Sequence, residues 1–306
     1  MSWIALGLLA GIVLGIYDVL TKMATSKVDV ISLVFLSTLF GSALWLPFFI
    51  SPNILYASTG ILLETGGFYL KEQFLILPKS IMMLSSWIFA YFSVKNLPLS
   101  ISAGVRATGP LWTAFAAILF LGENLTLIHW LGFSVASFAY YKFATIGKNE
   151  GFKLSRDKWA LFMLLATLLS STAQIYDKFL LSNVGLDLIG VQAISAIQRA
   201  FLVIFLIPFC MSSIKNNGIK NFNIAVILVG ITMVVAEFVY LSSVNIEGAM
   251  IAVISILRRT NLVVVYFVGA LIFKEKNRGR KFLCITGVVF GIIIVSLPTL
   301  GVFNVT

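Results

Sequence analysis

The sequence predicts an all-α polytopic membrane protein, ten transmembrane helices arranged as two inverted five-helix repeats. Three observations lead there. The 306 residues are 59% hydrophobic and only 11% charged, where a soluble domain carries about 25% charged residues. Long apolar runs alternate with short polar breaks throughout. Finally, the chain repeats itself. Ile16-Tyr17-Asp18 returns as Ile175-Tyr176-Asp177, and Val28-Asp29-Val30-Ile31 returns as Leu186-Asp187-Leu188-Ile189. Tyr91-x-Ser93-x-x-Asn96 returns as Tyr240-x-Ser242-x-x-Asn245, and Arg106 precedes Glu123 by the same 17 positions that separate Arg258 from Glu275. Echoes in one order mark an internal duplication.

About 20 apolar residues cross the hydrocarbon core as a helix. The first such run, 2–24, follows no basic n-region and reads as a span rather than a removed signal. A second run, 29–50, ends at Ser51-Pro52-Asn53. Residues 51–74 carry Glu64, Lys71 and Glu72 and read as an interfacial helix or loop, with an eleventh span as the alternative. The third run, 75–95, stops at Asn96-Leu97-Pro98, and the fourth, 99–121, at Gly122-Glu123-Asn124. The fifth, 127–147, leads into a basic stretch that divides the chain into repeats 1–150 and 151–306. The second half gives runs 158–182, 187–210, 222–243, 248–273 and 280–298, punctuated by Asn216-Asn217-Gly218 and Asn277-Arg278-Gly279.

Alternation of these runs places 14 Lys and Arg on one side and only Lys71, Lys79 and Lys178 on the other. The positive-inside rule puts the basic side in the cytoplasm, so both termini are expected outside a cytoplasmic (inner) membrane. Five runs per repeat is an odd number, which inverts the second repeat relative to the first. Because the +10 charge sits mainly in short loops, it argues for orientation and against nucleic acid. Cys210 and Cys284 form no CxxC, His129 is the single histidine, and HExxH, GxSxG and Walker patterns are missing. No metal, cofactor or enzymatic activity is expected.

These residues resemble the drug/metabolite transporter superfamily in its two-repeat, ten-helix EamA-type branch. The features that carry the resemblance are the repeat, the short link between the third and fourth runs, Pro110, Leu121-Gly122-Glu123 with its second version Phe273-Lys274-Glu275, and Gly132 and Gly287 in the runs that follow. The resemblance spans essentially the whole chain. It implies a central cavity between the repeats and a small polar substrate. The chain departs from the pattern at Leu262, near where a second proline is expected. Many members are also drawn with cytoplasmic termini, opposite to the charge count.

Charges inside spans cost at least about 2.5–3.5 kcal/mol near the bilayer centre, so they are rarely idle. Here they are Asp18, Arg106, Lys142, Asp177, Arg199, Glu237, Arg258 and Arg259. Depth along the runs, at about 1.5 Å per residue, pairs Asp18 with Arg106 at one level and Asp177 with Arg258 at the other. These pairs read either as structural clasps or as gates at opposite ends of a cavity, with proton carriage by Asp18 or Asp177 a third reading. Arg199 either pairs with Glu237 or meets an anionic group on the substrate. Adjacent Arg258 and Arg259 point about 100° apart, so one can face the cavity while the other pairs. Tyr17, Tyr176, Trp87 and Trp112 are candidates for the cavity wall, with packing as the alternative. Gly7, Gly11 and Gly15, and Gly287 with Gly291, make small-xxx-small stripes that suit close helix packing or a homodimer seam through the tenth run.

The function expected is secondary transport of a small polar, anionic or zwitterionic metabolite by alternating access. A flippase for a lipid-linked or phosphate-bearing lipid is the alternative. Expected partners are the small-molecule substrate and the lipid bilayer, for a monomer or homodimer.

Overall fold

A computed structural model describes residues 2–47, 70–97, 99–106, 108–148, 157–208, 224–271 and 278–300. Among the described residues all regular structure is helical. The first half contributes α1 (Trp3–Thr25), α2 (Val30–Ala43), α3 (Leu70–Asn96), α4 (Leu99–Arg106), α5 (Gly109–Leu121) and α6 (Leu127–Lys148). The second contributes α7 (Lys158–Lys178), α8 (Leu188–Ile204), α9 (Ile224–Val244), α10 (Ile251–Leu257), α11 (Asn261–Leu271) and α12 (Arg278–Ser296). Among the described residues, six helical stretches, including Trp3–Thr25 and Ile224–Val244, are long and apolar enough to cross a membrane, and three more, including Val30–Ala43, are shorter but apolar.

The echoed sequences have local physical causes. Asp29 and Asp187 are N-caps: the Asp29 carboxylate accepts the Ile31 N–H at 3.1 Å, and Asp187 accepts that of Gly190 at 2.9 Å. Each starts the second helix of its half. Gly122, at φ 66°, closes α5 in the left-handed region, which explains the Leu-Gly-Glu ending.

Two expectations need correction. The third helix begins at Leu70, five residues before the predicted 75, so its first turn is the polar and largely exposed Lys71-Glu72-Gln73. Lys79 is therefore its tenth residue and fully buried, not a charge to be counted on the outer side. The rest of the predicted interfacial segment, residues 48–69, lies outside the described residues. The fourth and ninth runs are each broken. The fourth divides between Arg106 and Gly109, and the ninth through a 3₁₀ turn at Arg258–Thr260. Thus the two echoed arginines both stand at a break. Pro110 opens α5 after the first break, whereas the second break forms without a proline. Mid-helix 3₁₀ geometry is common at functional hinges.

In lipid, helices associate through close packing and interhelical hydrogen bonds rather than through apolar burial from water. The halves interlock by exchange: α1 packs on α9 while its counterpart α7 packs on α3, and α6 packs on α12. The glycine stripe of α12 serves the α6 seam, and that of α1 faces the broken ninth run. A Cβ on Gly11 would lie 2.0 Å from Thr260 Oγ1 and 2.7 Å from the Arg258 carbonyl, so α1 crosses directly over the break in the ninth run. A Cβ on Gly291 would meet the backbone of Ala136 at 2.7 Å. The tenth-run stripe packs on α6 of the same chain, which is the close-packing alternative.

Candidate functional site

Three charged groupings meet where α1, α3, α7, α9 and the broken ninth run converge. The first is built on Asp18 of α1. One carboxylate oxygen receives Arg106 from the end of α4, and the other accepts the Asn261 amide at 2.9 Å. Asp18 thus ties three helices at both breaks. Beside it the Tyr17 hydroxyl donates to that of Tyr91 at 2.9 Å.

The second grouping is a buried quartet. Lys79 Nζ lies 2.6 Å from Asp177 and 3.3 Å from Glu237. Arg199 meets Glu237 with both fork nitrogens, at 3.2 and 2.8 Å, and its guanidinium stacks 4.8 Å over the Trp87 ring. Two cations and two carboxylates balance. Lys79 and Arg199 are 0% and 1% exposed, so both cations are held out of solvent, where an unpaired charge is costly.

The third grouping is Arg258 and Arg259 in the 3₁₀ turn. Arg258 lies 4.2 Å over the Tyr240 ring. Among the described residues neither guanidinium has a carboxylate within 4.0 Å, and the Nε of each has no hydrogen-bond partner. Arg259 reaches α5: a Cβ on Gly109 would lie 2.6 Å from its Nη2, so the guanidinium packs directly against the start of that helix.

All three border one cavity, with about 930 Å³ of empty space, part of it open to solvent. Tyr17, Trp87, Arg106, Asp177, Glu237, Arg258 and Arg259 all line it. Counting the groupings together gives five cations (Lys79, Arg106, Arg199, Arg258, Arg259) against three carboxylates (Asp18, Asp177, Glu237), a surplus of two. The surplus is the unpaired arginine pair, and guanidinium stays charged in proteins.

Sequence comparison fits this architecture. The EamA-like transporter family matches the chain over residues 1–142 and again over 157–297. The chain belongs to the EamA-like transporter family. It is accordingly a multi-pass membrane transporter of the drug/metabolite type, and the two family matches correspond to its two repeats. A comparison with curated proteins returned no match. The fold is similar to that of a solved crystal structure with TM-score 0.71 and 14% identity, covering 96% of this chain and 98% of that one.

Within this EamA-like fold the predicted pairs fare differently. Asp18 and Arg106 meet. Asp177 and Arg258 do not, because Lys79 from the other repeat holds Asp177. Arg199 takes the pairing alternative with Glu237 and does not line the cavity. Tyr176 also lies off the wall and donates to the Leu75 carbonyl at 2.7 Å. Trp112 is 46% exposed on the outer surface of α5, so it is neither wall nor core. Lys142 is exposed, as a snorkelling residue would be. Glu123 anchors a helix end: its carboxylate accepts the Ile251 and Ala252 N–H groups at 2.5 and 3.1 Å, starting α10. Burial holds that carboxyl above its ordinary value against the pull of these two donors. Glu275 lies outside the described residues. Lys79, Asn261 and Tyr240 were missed. Lys79 was visible only as a lysine near a span edge, Tyr240 only as part of an echo, and Asn261 carried no charge to draw notice.

The Asp18 clasp yields a direct expectation. Asp18→Asn and Arg106→Gln should each destabilise by about 3–5 kcal/mol, because each strands a mostly buried charge. The double variant should recover part of that loss, a coupling of about 1–3 kcal/mol in a double-mutant cycle read by thermal melting. Strictly additive losses would show that the clasp contributes nothing.

Proposed function

We propose that this chain is a secondary transporter that moves a small anionic metabolite across the cytoplasmic membrane by alternating access. The observation that carries the reading is the pair of carboxylate-free guanidiniums, Arg258 and Arg259, on the cavity wall at a helix break. Such a pair is costly in a membrane interior unless something anionic completes it. A guanidinium fork meets carboxylate or phosphate oxygens bidentately. Discontinuous helices at the repeat interface are a recurrent way to build a transporter's binding site. The exchange packing of the halves supports an inverted repeat, with α1, α3, α7 and α9 around the shared cavity.

In this reading Asp18–Arg106 is a closed gate and Asp177–Arg258 is its open counterpart. Asp177 rests on Lys79 until the cavity closes on that side. Glu237 and Arg199 serve as the fixed support behind Asp177 and Trp87. Lys79 leaves the outer-side count when it becomes part of the quartet, which sharpens the charge bias toward extracytoplasmic termini.

A thermal-shift screen of the purified protein tests the substrate class. Carboxylates and phosphates should raise the melting temperature, and organic cations should not. Stabilisation by cations alone would contradict the reading, and selective stabilisation by lipid phosphates would favour a flippase. A reporter fused after Thr306 should read as extracytoplasmic. A cytoplasmic reading would reverse the orientation and exchange which gate faces in.

A further inference from the structure

Resting on the anionic reading just given, we infer that the substrate is an organic carboxylate with an apolar body and without an ammonium group. The cavity wall is chemically divided. Arg258 and Arg259 hold the charge at the 3₁₀ turn, while Leu14, Met83, Trp87, Ala90, Met233 and Ala236 supply an apolar surface from α1, α3 and α9. Trp87 is fixed for such a role, because Arg199 stacks behind its ring and is itself held by Glu237.

The polar lining residues do not soften this division, since most of their protons are already committed. Ser86 donates to the Ala166 carbonyl at 2.8 Å and Thr167 to that of Met163 at 2.7 Å. Ser170 and Ser255 donate to the carbonyls three residues before them, and Gln174 donates to the Ser170 carbonyl. Tyr17 donates to Tyr91. A sugar phosphate would bring many ring and hydroxyl oxygens that need donors. Beyond the guanidinium pair the wall offers few. Apolar surface instead matches an apolar body, as in most small-molecule sites.

The ammonium is excluded by the charge order. Asp177 and Glu237 reach the cavity, yet Lys79 and Arg199 already neutralise them. An incoming ammonium would find no free carboxylate and would sit near two uncompensated guanidiniums. Like charges at close range in a low-dielectric site repel strongly.

Five probes on the full chain in lipid nanodiscs separate these features by thermal shift and titration. 3-Phenylpropionate carries a carboxylate and an apolar body. Phenylalanine adds the ammonium, and phenethylamine keeps the ammonium and lacks the carboxylate. Acetate and inorganic phosphate lack the body. 3-Phenylpropionate should stabilise the protein, with phenylalanine, acetate and phosphate each weaker by about tenfold or more, a difference of about 1.4 kcal/mol. Arg259→Gln should remove the response to 3-phenylpropionate. Equal stabilisation by phenylalanine would overturn the exclusion of the ammonium, and equal stabilisation by acetate or phosphate would overturn the apolar body, in both cases leaving the anionic reading intact. Stabilisation by phenethylamine alone would overturn this inference and the anionic reading together. Silence from all five probes would overturn the inference, with the wider anion screen still deciding the reading beneath it.

Discussion

Arg199→Gln is expected to be among the most damaging single substitutions in the cavity region, through loss of fold rather than of binding. Arg199 is 1% exposed and grips Glu237 with two nitrogens. Its removal leaves Lys79 alone to balance Asp177 and Glu237. Breaking a buried pair on one side costs about 3–5 kcal/mol, because the surviving charge keeps its desolvation penalty without its partner. Total stabilities are often only about 5–15 kcal/mol, so the variant should express poorly and melt far below the parent. Glu237→Gln should behave alike, stranding Arg199 and Lys79 against Asp177. Replacing both, as Arg199→Met with Glu237→Gln, leaves the neutral Lys79–Asp177 pair and should recover most of the loss. A well-folded Arg199→Gln protein that had lost only its response to anions would move Arg199 from support to ligand.

Arg259→Gln is expected to act with the opposite sign. No carboxylate within 4.0 Å loses a partner among the described residues, and a like-charge repulsion with its neighbour disappears. Stability should stay level or rise. Binding should fall, since truncating one partner of a buried charge-assisted contact costs about 2–5 kcal/mol, roughly 30-fold or more in affinity. Arg258→Gln should resemble it, less the cation–π contact with Tyr240, worth about 0.5–2 kcal/mol. Titration of a stabilising anion against each folded variant checks this. Full retention of affinity in both would remove the arginine pair from the site.

The helical plan was legible because hydrocarbon thickness forces each span to declare itself as an apolar run, and the duplication marked equivalent positions. The Asp18–Arg106 clasp followed from those two signals. Its counterpart did not, because depth along a run says at what level a charge lies but not which neighbour arrives first. Lys79 enters from the opposite repeat and takes Asp177. It was hidden by a helix start read five residues late, which made a central lysine look like a peripheral one. Trp112 shows the same limit in rotation: its level suits the cavity, but its face of α5 points outward and leaves it 46% exposed. The breaks at Arg106 and Arg258 were half legible. Pro110 signals the first, but the second has Leu262 in the corresponding place and lies where α1 crosses closely at Gly11.

The central claim is that Arg258 and Arg259 are left without carboxylates so that a substrate anion can complete them. Thermal melting of the Arg258→Gln/Arg259→Gln double variant, with and without the anion that best stabilises the parent, tests it most directly. The account predicts a melting temperature at or above that of the ligand-free parent and no further rise when the anion is added. A double variant that melts several degrees lower without ligand, or that still responds to the anion as the parent does, would contradict it.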